Sequence, residues 1–169
     1  MQPAKIDLLI YCRWIIPIIP EDKVWENCAL AVEGEKIIGI FPQAEAAKRF
    51  APLNTEHLDN HVLMPGLVNA HGHAAMSLLR GYADDLPLMP WLHDHIWPAE
   101  SRFVDDSFVR DGTNLSMAEM IKSGTTCFAD MYFFHETIVE EVRAAGMRCQ
   151  VGFTVLDFPT AYAKNADDY

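Results

Sequence analysis

The chain has 169 residues, half of them hydrophobic and 22% charged, a globular composition long enough to bury a real core. A formal net charge of −11, with no lysine–arginine cluster, argues against nucleic acid or an anionic membrane surface as partner. The four cysteines, Cys12, Cys28, Cys127 and Cys149, are widely spaced without a Cys-x-x-Cys, so a thiolate zinc site and a disulfide framework are both unexpected, and free thiols fit a cytoplasmic setting.

Residues 6–12 read as a β-strand, continued in extended form from Trp14 to Ile19 and limited by Pro17 and Pro20. The apolar run 6–19 is too short and too punctuated by Asp7, Arg13 and Pro17 to span a bilayer. Cys28 to Val32 and Lys36 to Phe41 are short apolar runs separated by Glu33-Gly34-Glu35, a hairpin signal in which Gly34 can take positive φ. Gln43 to Phe50 is a short helix, and Leu53 to Asn60 a polar loop or edge strand. Residues 1–61 therefore read as a small β unit, with His57 and His61 as surface or turn residues.

The character changes at Val62. Residues 62–69 form a nearly continuous apolar run, as expected of a strand buried on both faces of a parallel sheet, with Pro65 tolerable near its start. Ala74 to Arg80 reads as a short helix, Gly81 to Leu86 as a loop, and Pro87 to Trp97 as a second helical stretch. Ser101 to Lys122 has the spacing of one long amphipathic helix, with Phe103, Val104, Phe108, Leu115, Met117, Met120 and Ile121 as its apolar face. A strand over Thr125 to Met131, a helix over Glu136 to Ala145 and a strand over Arg148 to Leu156 follow. Strand–helix–strand–helix–strand is the alternation of a parallel α/β fold. A closed (β/α)8 barrel takes about 250 residues, so residues 62–169 are enough for about three of its units. The expectation is an amino-terminal part of a longer protein, or a chain whose other half is a separate polypeptide.

The chemistry concentrates in His71-Gly72-His73, at the far end of the run 62–69. On a strand, residues i and i+2 share a face, so both rings would aim at one point, and Gly72 would let backbone or ligand approach closely. Two neutral imidazoles converging in this way are half of a zinc or iron site. A second His-x-His, His93 and His95, lies in a helical stretch, where i and i+2 diverge; surface or structural roles are expected there.

Met64-Pro-Gly-Leu-Val-Asn-Ala-His-Gly-His73, followed by Ala-Ala-Met-Ser-Leu-Leu-Arg-Gly81, resembles the first barrel strand of the amidohydrolase superfamily. Asp84-Asp85-Leu86, Trp91-Leu92, Pro98-Ala99-Glu100 and Phe128-Ala-Asp-Met-Tyr-Phe133 resemble, more narrowly, the 5-methylthioadenosine/S-adenosylhomocysteine deaminases. The resemblance implies an α/β fold, the first part of a metal-dependent TIM barrel (62–169) preceded by part of a small β-sandwich domain (1–61). His71 and His73 would hold one divalent metal, usually Zn2+ and alternatively Fe2+. The remaining ligands and proton-transfer groups would lie beyond residue 169. Glu100 matches the carboxylate that accepts hydrogen bonds from the ribose hydroxyls, a job suited to two acceptor oxygens facing a vicinal diol. Trp91, Met76 and Leu79 are candidates for the apolar wall around the purine or the alkylthio group. Asp130 reads as structural or supporting, and His135 as a helix-start residue. Phe153 stands near the place where some relatives carry a substrate-contacting arginine.

The implied reaction is hydrolytic deamination at C6 of an adenine nucleoside, giving the inosine analogue and ammonia. The implied partner is a small-molecule nucleoside, and the implied whole protein a homo-oligomer. Guanine or cytosine deamination, triazine chlorohydrolysis and a non-catalytic assembly module are the alternatives. The cytidine-deaminase type of zinc site needs His-x-Glu and Pro-Cys-x-x-Cys, and the chain has neither.

Overall fold

The computed structural model describes residues 2–169, which divide into two compact units, 2–65 and 66–169. The first is a four-stranded sheet in the order β3-β2-β1-β4, built from β1 (Ala4–Ile15), β2 (Trp25–Glu33), β3 (Lys36–Pro42) and β4 (Phe50–Leu63). β1 runs antiparallel to β2 and parallel to β4, so the stretch around Leu53 to Asn60 is an edge strand. The β2–β3 hairpin forms as the sequence predicts: Gly34 takes φ +58 and donates its N–H to Asp7 Oδ2 at 2.6 Å. Helix α1 (Gln43–Arg49) buries Ala46 among Ile6, Leu9, Ala29, Ala31 and Phe50. Ala29 and Ala31, two apart on one face of β2, leave the room this helix fills.

The second unit is a parallel sheet in the order β5-β6-β7, made of β5 (Leu67–Asn69), β6 (Thr125–Met131) and β7 (Arg148–Gly152). A 3-10 segment (Ala74–Leu79), α2 (Leu88–Pro90), a π-helical turn (Trp91–Ile96), α3 (Trp97–Phe103) and α4 (Asp106–Ser123) lie between β5 and β6. α5 (His135–Ala145) joins β6 to β7. Its core gathers Ala74, Ala75, Val109, Met117, Phe128, Tyr132, Ile138 and Val142.

Three expectations are corrected. The run 62–69 is not one strand. Val62 and Leu63 belong to β4, paired with Trp14 and Ile15, and Met64 to Gly66 is irregular before β5 begins. Pro65 has no N–H and cannot join a ladder, so the run is cut there. The stretch 101–122 is two helices. Asp105 caps α4 by accepting the Phe108 N–H at 2.8 Å, and an extended cap residue must interrupt the helix before it. The buried stripe of α4 is Val109, Gly112, Thr113 and Met117, whereas Phe103, Leu115 and Ile121 are exposed. The third strand ends at Gly152, short of Leu156.

Gly112 marks the closest packing in this unit. A Cβ built there would lie 2.3 Å from the Ala75 carbonyl oxygen, so helix and 3-10 segment meet backbone to backbone. Alanine ordinarily favours a helix interior over glycine by about 1 kcal/mol. The clash with rigid backbone outweighs that, and Gly112→Ala is expected to destabilise the fold by about 1–3 kcal/mol. A denaturant midpoint for G112A at or above that of the wild type would contradict this packing.

Candidate functional site

β5 is only three residues long, and its pairing with β6 ends at Asn69 opposite Phe128. His71 and His73 therefore lie beyond the strand, in irregular backbone, and strand alternation is not what aims them. Their rings nevertheless meet, with centroids 5.2 Å apart and planes at 82°. Local bonds shape the turn. Asn69 Oδ1 accepts the His71 N–H at 3.2 Å, and the Gly72 carbonyl accepts the Met131 N–H at 3.3 Å. A Cβ on Gly72 would lie 3.2 Å from the Ala129 carbonyl oxygen, so the backbone runs close along β6.

His73 Nδ1 lies 2.7 Å from the Met131 carbonyl oxygen. A carbonyl can only accept, so Nδ1 carries the proton and Nε2 of the neutral ring keeps a free lone pair. This is the arrangement by which metal-binding histidines are oriented and their tautomer fixed. One residue on, the Ala74 N–H donates to Asp130 Oδ1 at 2.9 Å, and the Met131 N–H donates to the same oxygen at 2.9 Å. Asp130 is 3% exposed, and its Oδ2 has no partner among the described residues. Burial holds this carboxyl above its ordinary range, against the opposing pull of the two amides and of His73.

Glu100, on α3, is half-buried, and its Oε1 accepts the hydroxyl proton of Tyr132 at 2.7 Å. Burial raises its pKa, opposed by that hydrogen bond and by His73. A cavity of about 320 Å³ is lined by His73, Met76, Trp91, Glu100, Tyr132 and Thr154, among others. His73, Met76 and Trp91 also border an adjoining cleft of about 410 Å³, and Leu79 lines that cleft alone. Four of the residues singled out in the sequence thus share one cavity, with Leu79 next door and His71 edge-on to His73. Tyr132 escaped sequence reading. Its signal is the alternation Phe128, Asp130, Tyr132, all buried, which carries one face of β6 past the end of the strand.

Four of the other histidines, His57, His93, His95 and His135, make aromatic packing contacts. His93 stacks edge-on to Trp97 and His95 to Tyr82, while in the first unit His57 lies flat on Tyr11. His135 opens α5 and packs edge-on to Phe153 at 4.2 Å. No group of three His, Cys, Asp or Glu that could hold a metal occurs among the described residues.

Residues 62–169 match the profile of the Amidohydrolase family. The chain belongs to the amidohydrolase family. This amidohydrolase chain is 53% identical over 165 residues to the 5-methylthioadenosine/S-adenosylhomocysteine deaminase of Saccharophagus degradans, covering 96% of the chain and 36% of that relative. It is 42% identical over 152 residues to the 5'-deoxyadenosine deaminase of Methanococcoides burtonii, covering 89% of the chain and 34% of that relative. A crystal structure of an adenosine deaminase from Xanthomonas campestris with bound zinc superposes with a TM-score of 0.95 at 47% identity, over 98% of this chain and 38% of that one. The chain spans little more than a third of the length of these relatives.

Removing the Asp130 carboxylate strands the Ala74 amide hydrogen and leaves that of Met131 only its longer bond to the Gly72 carbonyl. Asp130→Ala is expected to destabilise the full-length protein by about 2–4 kcal/mol and to speed hydrogen exchange at Ala74 and Met131. Asp130→Asn keeps an acceptor and is expected to retain most of the protection. Unchanged exchange at both amides in D130A would show that the carboxylate does not hold the turn.

Proposed function

We propose that this chain is the amino-terminal part of a divalent-metal-dependent aminohydrolase that deaminates adenine nucleosides such as 5-methylthioadenosine, S-adenosylhomocysteine or adenosine. The products are the inosine analogue and ammonia. In this reading β5 to β7 are the first strands of a (β/α)8 barrel, and the four-stranded unit contributes to a small β-sandwich domain. The site then sits where such barrels carry chemistry, past the carboxyl ends of the strands. Four free cysteines fit a cytoplasmic enzyme.

The observation that carries the reading is a single cavity lined by a histidine whose Nε2 is free and by a half-buried carboxylate. Adjacent neutral imidazoles suit zinc, the metal bound in the Xanthomonas structure. His71 and His73 would hold it, with further ligands from outside the described residues. The ion, when bound, would supply activated water at neutral pH. The rest is the work of the chain. Met131 fixes the His73 tautomer, and Asp130 anchors the turn that follows. Glu100 accepts the ribose hydroxyls, and Trp91 and Met76 offer apolar surface to the base or the alkylthio group, with Leu79 bordering the adjoining cleft. A ribose-binding carboxylate has no use in an enzyme of free bases, which favours a nucleoside substrate over guanine, cytosine or triazines.

Glu100→Ala in the full-length enzyme is expected to lower kcat/KM for 5-methylthioadenosine by about 10–100-fold, the usual cost of a charged hydrogen bond. Turnover of free adenine, however slow, should change little. Equal losses on nucleoside and base would refute the nucleoside assignment.

A further inference from the structure

Tyr132 follows the last residue of β6 and is 5% exposed. Its hydroxyl donates to Glu100 Oε1, and its ring lines the same cavity as His73 and Glu100. A buried phenol needs an acceptor, so the pairing constrains both side chains. Glu100 itself sits on α3, a seven-residue helix, at the end of a side chain with three rotatable bonds. A carboxylate that must meet two vicinal hydroxyls at once loses much of its value if free to swing. Bonding one oxygen to a rigid, buried ring removes that freedom and leaves Oε2 for a ligand. Residue 131 fixes the His73 ring through its carbonyl, so consecutive residues of one strand end govern the histidine and the carboxylate.

We propose that Tyr132 is a positioning residue for ribose recognition: it holds Glu100 Oε1 so that Oε2 faces the diol, and thereby sets the preference for nucleosides carrying both hydroxyls. The proposal rests on the reading of Glu100 as the diol-binding carboxylate. Tyr132 acts through Glu100 and touches no reacting atom.

The test compares Tyr132→Phe with wild type in the full-length, metal-loaded enzyme, using adenosine and 2',3'-dideoxyadenosine. For adenosine, KM should rise about tenfold with kcat within about twofold. KM for the dideoxy analogue should not move. In an E100A background, Y132F should add nothing, since the group it positions is gone. E100D pulls the carboxylate back from an intact tyrosine and should give the same diol-dependent rise in KM, a check that does not depend on Y132F folding. A lower kcat at constant KM, an equal loss on the dideoxy analogue, or a full effect of Y132F in E100A would each overturn the proposal. If E100A itself fails to distinguish the two substrates, the reading of Glu100 falls; if only Y132F fails to do so, the role of Tyr132 alone is lost.

Discussion

The end of β6 holds the turn that follows β5. Met131 gives its carbonyl to the His73 ring and its N–H to the Gly72 carbonyl, and Asp130 takes the Ala74 N–H. Without these bonds the segment 70–73 would have no regular structure to satisfy its backbone, because β5 stops at Asn69 and both Leu67 and Val68 are exposed. The bonds act together. They place the backbone, select the tautomer and point the free nitrogen of His73 away from Met131.

Holding the turn with a buried carboxylate is costly. Asp130 gives up hydration and recovers two amide hydrogen bonds on one oxygen, while the other stays unpaired among the described residues. A native chain retains such an imbalance where a defined geometry matters more than the last increment of stability. Glu100 shows the same opposition, with burial raising its pKa against a hydrogen bond from Tyr132. Residues 128, 130 and 132 face one way, so β6 delivers a core ring, an amide acceptor and a carboxylate partner at successive inward positions.

Behind the turn, the 3-10 segment is fastened to α4. Ser77 Oγ donates to the Gly112 carbonyl at 2.8 Å, close to the contact of Ala75 with Gly112. The Arg80–Glu119 pair, exposed on both sides, adds little. The backbone contact is the stiff element, since neither side has a rotamer that can yield. His73 is thus held from β6 directly and from α4 through the residues that follow it.

Local physics made much of this legible. The glycine hairpin and the strand–helix alternation are short-range signals, and each is found where the sequence puts it. Tertiary structure decided the rest. Pairing showed that Val62 and Leu63 extend β4, because a ladder depends on a partner strand invisible to periodicity. The aspartate cap at Asp105 overrode an apolar pattern that ran on through it. The two rings meet because Met131, 58 positions from His73, supplies a carbonyl, and Tyr132 finds Glu100 across 32 positions. Sequence determines which groups a chain owns and their local conformational preference; only the folded pairing of distant segments determines which of those groups face one another.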